Sequence, residues 1–303
     1  MRFIRFPNAL TLDQMLHDEL GDSDFVLPGL PAGSVGGLVS PGGVGKSFWA
    51  LSVVMSVATG YSLCGLEAAQ GGVLYLAAED PVARLVPRLR AYAHQVPEHL
   101  RDLSALDIRC CYGTAMNLLD DDCLLAMVKM AHGKRLVVLD TLSRFHGLDE
   151  NSSRDMSAVM SALERLAMLS GAAVLFLHHT SKHYAANNQG SLQQAARGSS
   201  VLVDNARWVS FLAPMDDQAV RVWGMQNKDK NDYVRWNISK QNYGIPQEDR
   251  WYRRGEHGAL EYIGSVLTKN ISQFAAHRPK NEQREALPRT DGSRVPAAEQ
   301  KPW

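Results

Sequence analysis

The chain has 303 residues, 45% of them hydrophobic, and its 32 basic and 32 acidic side chains cancel to a net charge of +0. That length holds one large α/β domain or two small ones, and the balance excludes a uniformly basic nucleic-acid binder, leaving only local Lys/Arg clusters for such contacts. No apolar stretch has membrane-spanning length, the start at Met1 to Pro7 lacks the apolar run of a secretion signal, and the four cysteines form no C-x-x-C pair or disulfide framework. A cytoplasmic location with reduced thiols is expected.

Residues 8–20, with Thr11 as N-cap and Leu12, Met15, Leu16 and Leu20 at helical spacing, predict a short amphipathic helix. The helix packs either on a neighbouring subunit or on the edge of its own sheet. The Pro- and Gly-rich stretch 24–33 reads as a loop. A short apolar strand over 35–39 then leads into Ser40-Pro41-Gly42-Gly43-Val44-Gly45-Lys46-Ser47, followed by a helix from Phe48 onward. Strand, glycine-rich turn and helix opening on Gly-Lys-Ser form a phosphate site. Backbone N–H groups of Gly42, Gly43, Val44 and Gly45 can turn toward phosphate oxygens, and the helix N-terminus adds positive potential. Lys46 would reach the β/γ-phosphates of ATP and the Ser47 hydroxyl would ligate Mg²⁺. Ser40 stands where the usual first glycine of this motif would be.

The apolar run 72–78 predicts a central parallel strand, and it ends in Glu79-Asp80-Pro81. A carboxylate at the carboxyl end of such a strand lies where ligands bind. Glu79 is the candidate general base for water, and Asp80 with Pro81 is expected to cap a helix over 81–95. Arg84 and Arg88 share one face of that helix, a solvated basic face or a nucleotide or subunit contact. A strand over 106–111 and a helix over 120–132 follow. Arg135-Leu136-Val137-Val138-Leu139-Asp140 is the expected second half of a phosphate-loop site, with Asp140 holding the Mg²⁺ shell.

Residues 141–155 are polar and carry Arg144 and Arg154; a helix over 156–169 follows. The next buried strand, 172–177, ends in His178-His179. Successive strand residues point to opposite faces, so one histidine faces the nucleotide, to sense the γ-phosphate or polarise the attacking water. A zinc site of His178, His179 and His183 is the rival, and it lacks a cysteine or acidic partner at ligand spacing. Residues 180–196 form a long polar loop whose Lys182 and Tyr184 suit sugar-phosphate contacts, closed by Arg197. Strands over 207–212 and 233–240 alternate as β-structure does, and 251–255 with 259–263 reads as a terminal hairpin. From about His277 the composition is that of a disordered tail.

The order of parts resembles the RecA fold: an α/β core with a mainly parallel central sheet, helices on both faces, antiparallel C-terminal strands and a short N-terminal helix. Within it, the phosphate loop, Ala78-Glu79-Asp80-Pro81, Val138-Leu139-Asp140-Thr141-Leu142, Phe176-Leu177-His178-His179, Arg197-Gly198-Ser199-Ser200-Val201-Leu202-Val203-Asp204-Asn205 and Ser239-Lys240-Gln241-Asn242-Tyr243-Gly244 closely resemble the RepA family, small hexameric replicative helicases of broad-host-range plasmids. The resemblance spans about residues 24–262. It implies a homohexameric ring with Mg-ATP at each interface, held by Lys46, Ser47 and Asp140. Glu79 would activate water and His179 would report the γ-phosphate. Arg207, after Asp204-Asn205, matches the family's arginine finger, donated to the neighbour's nucleotide. Related ring helicases carry Lys-x-Arg where this chain has Lys240-Gln241-Asn242, so Lys240 alone supplies charge to the ATP site. The loops 141–155 and 180–196, with Arg144, Arg154, Lys182, Tyr184 and Arg197, occupy the positions of the channel loops that grip single-stranded DNA.

The resemblance divides the chain into an N-terminal helix and linker over 1–30, a core over 31–265 and a tail over 277–303. Primase and origin-binding partners would be separate proteins, and unwinding 5′→3′ follows by analogy. The alternatives are a regulatory or remodelling RecA-fold ATPase without unwinding and a non-hydrolysing scaffold. Glu79 and Asp140 argue against the scaffold.

Overall fold

The structure, a computed structural model, describes residue 16, residues 24–180, 200–223 and 227–265. Leu16 is the only described residue of the predicted N-terminal helix. Lys182, Tyr184, Arg197, His183 and the 277–303 tail lie outside the described residues.

Eleven strands occur among the described residues. β1 (Phe25–Leu27) and β2 (Leu30–Pro31) form a small antiparallel hairpin across Pro28-Gly29, with Gly29 at φ 78°. This corrects the expected loop over 24–33. Val26, Leu27 and Leu30 are fully buried, and the indole N–H of Trp208 donates 3.0 Å to the Pro28 carbonyl. A high Pro and Gly content concealed three core residues, and the core begins before residue 31.

The other nine strands make one sheet in the order β11-β10-β9-β8-β3-β7-β6-β4-β5. β3 (Val35–Ser40), β4 (Gly72–Ala77), β5 (Leu106–Cys110), β6 (Lys134–Asp140), β7 (Ala173–His179) and β8 (Trp208–Pro214) are mutually parallel. β9 (Tyr233–Gln241), β10 (Arg250–Arg254) and β11 (Leu260–Gly264) extend the sheet antiparallel. This is the RecA-like α/β class expected from the sequence. The parallel strands are apolar runs because helices cover them on both sides.

Six helices of the described chain connect these strands. α1 (Lys46–Thr59) and α2 (Val82–Gln95) pack with the β1–β2 hairpin on one face. α3 (Asp121–Ala131), α4 (Ser153–Ser170) and α5 (Ser200–Asn205) cover the other, and α6 (Asp217–Trp223) follows β8. Alternation decides which side chain meets which layer. Tyr75 and Ala77 of β4, Leu136 and Val138 of β6, and Leu175 and Leu177 of β7 join the α1 layer. Their neighbours Leu74, Leu76, Val137, Leu139, Val174 and Phe176 join the α4 layer.

α1 is buried on nearly every side and has a stack of indoles beneath it. Trp49 lies 5.3 Å from Trp236 of β9 at an interplanar angle of 15°, and Trp208 of β8 lies 6.2 Å from Trp236. The Trp49 N–H donates 3.0 Å to the Tyr252 hydroxyl, which donates 2.6 Å to the Cys64 carbonyl. The antiparallel extension is thus pinned to the helix that follows the phosphate loop.

Two helix starts differ from expectation, and two short elements were not expected. α2 starts at Val82 with Pro81 as N-cap, and Asp80 makes no capping bond. Its carboxylate instead accepts 2.5 Å from Arg88, which also lies 4.8 Å from the Phe48 ring centre. Arg88 is therefore engaged rather than part of a free basic face. α4 begins at Ser153, where the Ser152 hydroxyl accepts from the Asp155 N–H. The polar segment 141–155 is anchored by buried Leu142 and Phe145 in a 3-10 turn. α6 and the 3-10 segment Asn227–Asp232 have no counterpart in the sequence reading.

Candidate active site

The site lies at the carboxyl edge of the parallel strands. β3 ends at Ser40, the chain turns through residues 41–45, and α1 begins at Lys46. Gly43 and Gly45 have φ of 78° and 115°, the left-handed region that a β-carbon would strain, which is why glycine stands there. Gly45 caps α1 without a side-chain hydrogen bond, so the first-turn N–H groups are free of a capping side chain.

Lys46 is buried. Its ammonium lies 3.1 Å from the Ser40 carbonyl, 3.2 Å from the Ser40 hydroxyl, 3.2 Å from the Pro41 carbonyl and 3.0 Å from His179 Nδ1. Ser40, the departure from the usual motif, thus supplies an acceptor that glycine lacks. Loss of water lowers the Lys46 pKa to about 8, against the opposing pull of the Glu79 and Asp140 carboxylates. A phosphate arriving there would add the counter-charge that burial leaves short.

Strand register brings the other predicted residues to the same face. Glu79 follows Tyr75 and Ala77, Asp140 follows Leu136 and Val138, and His179 follows Leu175 and Leu177, each at two-residue steps. An ammonium can only donate, so His179 Nδ1 accepts from Lys46 and its Nε2–H donates 3.3 Å to Glu79. That hydrogen bond lowers the Glu79 pKa, with the Lys46 and Arg144 charges assisting against burial. Glu79 is consequently a carboxylate at neutral pH, the form a general base requires.

Asp140 is buried, accepts 2.5 Å from the Tyr75 hydroxyl and 3.3 Å from Thr141, and is hydrogen-bonded by Ser47. Burial still raises its pKa, which marks a buried acid short of positive charge. A serine hydroxyl beside a buried carboxylate is the hard oxygen pair that Mg²⁺ takes, so these residues fit that ion. Tyr75 was missed from the sequence, although its place four residues before Glu79 on an alternating strand was the available signal.

His178 points to the opposite face, is buried, and has its pKa lowered to about 4 chiefly by burial. His179 is therefore the histidine in the site. Among the described residues no cluster of metal-binding side chains forms around the two histidines. Arg144 and Arg154 are exposed, in the 3-10 turn after β6 and the first turn of α4 respectively.

Arg207 and Lys240 do not join this constellation. β8 runs parallel to β3 with Trp208 opposite Gly36, so Arg207 stands at the amino edge of the sheet, and its N–H donates to the Val35 carbonyl. The six residues of β3 put about 20 Å between that edge and the phosphate loop. Lys240 lies at the same far edge, where its ammonium donates to the Val203 and Asp204 carbonyls at the end of α5. Arg207 lines a groove of about 520 Å³ with Glu164, Met168, Asn205 and Tyr243. Met168, Leu169 and Tyr243 are exposed apolar side chains at this edge.

The four cysteines are free thiols, and no helix among the described residues is long and apolar enough to cross a membrane. Two solved structures share the fold. The first, an ATPase domain, aligns with a TM-score of 0.56 and 16% identity over 76% of this chain and 85% of that one. "The Structure Of A DnaB-Like Replicative Helicase And Its Interactions With Primase" aligns with a TM-score of 0.57 and 14% identity over 85% of this chain and 68% of that one. At sequence level the AAA domain family matches residues 8–185, more than half of the chain, from ahead of the phosphate loop to beyond the histidine pair. With Lys46, Glu79, Asp140 and His179 converging inside that span, this chain belongs to the AAA domain family.

Proposed function

We propose that the protein is a replicative-helicase-type ATPase of the RepA kind, a ring of identical subunits that hydrolyses ATP and threads single-stranded DNA. One observation carries this reading. Lys46, Glu79, Asp140 and His179 gather at one edge of the sheet, the arrangement a phosphate and water-activating site would need, while Arg207 and Lys240 lie at the other edge, out of their reach. Two chains packed edge to edge would join the halves, and the exposed Met168, Leu169 and Tyr243 give that edge apolar surface to bury. The protein whose fold is shared at 14% identity is titled a replicative helicase that interacts with primase. Separate primase and origin-binding proteins are proposed as partners here on the same footing.

In this reading Lys46 and the loop amides hold the β- and γ-phosphates, with Ser47 and Asp140 holding Mg²⁺, which supplies charge neutralisation when bound. Glu79 takes a proton from the attacking water. His179, bridged between Lys46 and Glu79, links phosphate occupancy to the base. Arg207 from the neighbour stabilises charge on the transferring phosphoryl group. Arg144 and Arg154, with Lys182, Tyr184 and Arg197 of the undescribed segment, line the channel. The segment ahead of β1 contacts the adjacent subunit, and the motor core runs from β1 to about residue 265.

The test is ATP turnover with and without single-stranded oligonucleotide, mass measurement with and without ATP, and strand displacement on a forked duplex. Hexamers, many-fold stimulation and displacement are expected. A flat response to DNA with brisk turnover would leave the regulatory ATPase.

A further inference from the structure

Arg254, the last residue of β10, has no part in the site as assembled above, yet its guanidinium lies against the phosphate loop. Nη2 donates 2.7 Å to the Val44 carbonyl, and Nε donates 3.1 Å to the Asn231 carbonyl. Packing there is close: a β-carbon on Gly45 would lie 3.4 Å from Arg254 Nη1 and 3.3 Å from Leu260 Cδ1. The Leu260 N–H in turn donates 2.8 Å to the Tyr92 hydroxyl, which fixes the β10–β11 hairpin over the loop. The contact is to the outside of the loop, through a carbonyl, whereas a phosphate would be met by amides.

In a trans peptide the C=O and N–H point in opposite directions. Holding the Val44 carbonyl outward therefore turns the Gly45 N–H inward. Gly45 has φ of 115° and no capping side chain, so its own residue type leaves that peptide free to rotate. A planar guanidinium with several fixed donors can hold two carbonyls at once, and a lysine cannot reproduce that geometry.

We propose that Arg254 is a positioning residue for the phosphate loop, holding the Val44 carbonyl so that the Gly45 amide is aimed at a nucleotide phosphate before one arrives. The inference rests on the nucleotide reading of the loop. It assigns the antiparallel extension a part in binding: β10 braces the cradle from behind and ties it to the 3-10 segment Asn227–Asp232. Preorganised donors cost no rearrangement on binding, which is their advantage over mobile ones.

The experiment compares the full-length wild type with Arg254→Lys and Arg254→Met, reading dissociation constants for fluorescent ATP and ADP analogues, KM, kcat and melting temperature. Lys46→Ala serves as the non-binding reference. Arg254→Met is expected to weaken ATP and ADP by about tenfold, with Arg254→Lys between it and wild type and kcat falling much less than affinity. Equal affinities in the three chains, or a lower melting temperature with unchanged KM, overturn the proposal and leave the nucleotide reading intact. A wild type that binds neither nucleotide removes both. Should Arg254→Met not fold, Arg254→Lys decides: weakened affinity supports the proposal, and wild-type affinity with reduced melting temperature overturns it.

Discussion

His178 and His179 are chain neighbours with opposite surroundings: one is sealed between sheet and α4 layer, the other bridges Lys46 and Glu79. The sealed one makes a pH prediction. Burial, with repulsion from His179, Lys46 and His146, lowers the His178 pKa from 6.5 to about 4. The unfolded chain then takes up this proton near pH 6.5 while the folded chain refuses it until about pH 4. Stability from this group is complete above 6.5, declines as pH falls and levels off near 4, a total of ~3 kcal/mol. Urea midpoints measured from pH ~7 to ~4.5 should fall in wild type and fall less in His178→Asn. His146, whose pKa burial also lowers, keeps a share of the slope. Identical slopes in the two proteins would show that His178 is not the source. From the sequence, strand alternation showed that one histidine must face away, and it took the register with Leu175 and Leu177 to say which. Lys46, Glu79 and Asp140 were legible because Lys46 opens α1, Asp140 closes β6 and Glu79 comes two residues after the end of β4. Tyr75 and Arg254 were not: one is a buried aromatic in an apolar run, and the other reaches the loop from 210 positions further along the chain.

At the scale of elements, α1 carries the phosphate loop into the core, and the indoles of Trp49, Trp236 and Trp208 join three elements that are far apart in sequence. Trp236→Ala should remove the middle of that stack and cost ~3–5 kcal/mol, read as a lower urea midpoint with little change in slope. A loss below ~1 kcal/mol would mean that the stack is not a support of the sheet extension. The parallel strands could be read directly, since strands covered on both faces are continuous apolar runs. Three places could not. Val26, Leu27 and Leu30 were obscured by Pro28 and Gly29 between them and by Pro31 and Gly33 after them. The segment 141–155 looked like open loop, although Leu142 and Phe145 are buried. α6 has seven residues, too few for a helical period to stand out.

At the scale of the whole molecule, the sheet has two chemically different rims. The order of motifs revealed the fold class, but only strand pairing shows that Arg207 and Lys240 occupy the rim opposite Lys46. If turnover needs one rim from each of two chains, Arg207→Ala should lose about 10³-fold or more in hydrolysis by the usual worth of such an arginine while still binding ATP. Lys46→Ala should fail for a different reason. Mixed in equal amounts, the two dead proteins should regain up to roughly a quarter of wild-type turnover, because a randomly assembled head-to-tail ring contains that share of intact junctions. No recovery from rings shown to exchange subunits would place Arg207 outside the reaction. The all-round burial of α1 bears on the end of each cycle as well. Only Ser47 and Phe48 of this helix are part-exposed, and Lys46 and Trp49 anchor the same turn in the interior, so melting it to release spent nucleotide would open the core. In the proposed ring, discharge would come through the solvent-facing mouth at Gly42 and Gly43, at a moment set by when the adjoining protomer withdraws.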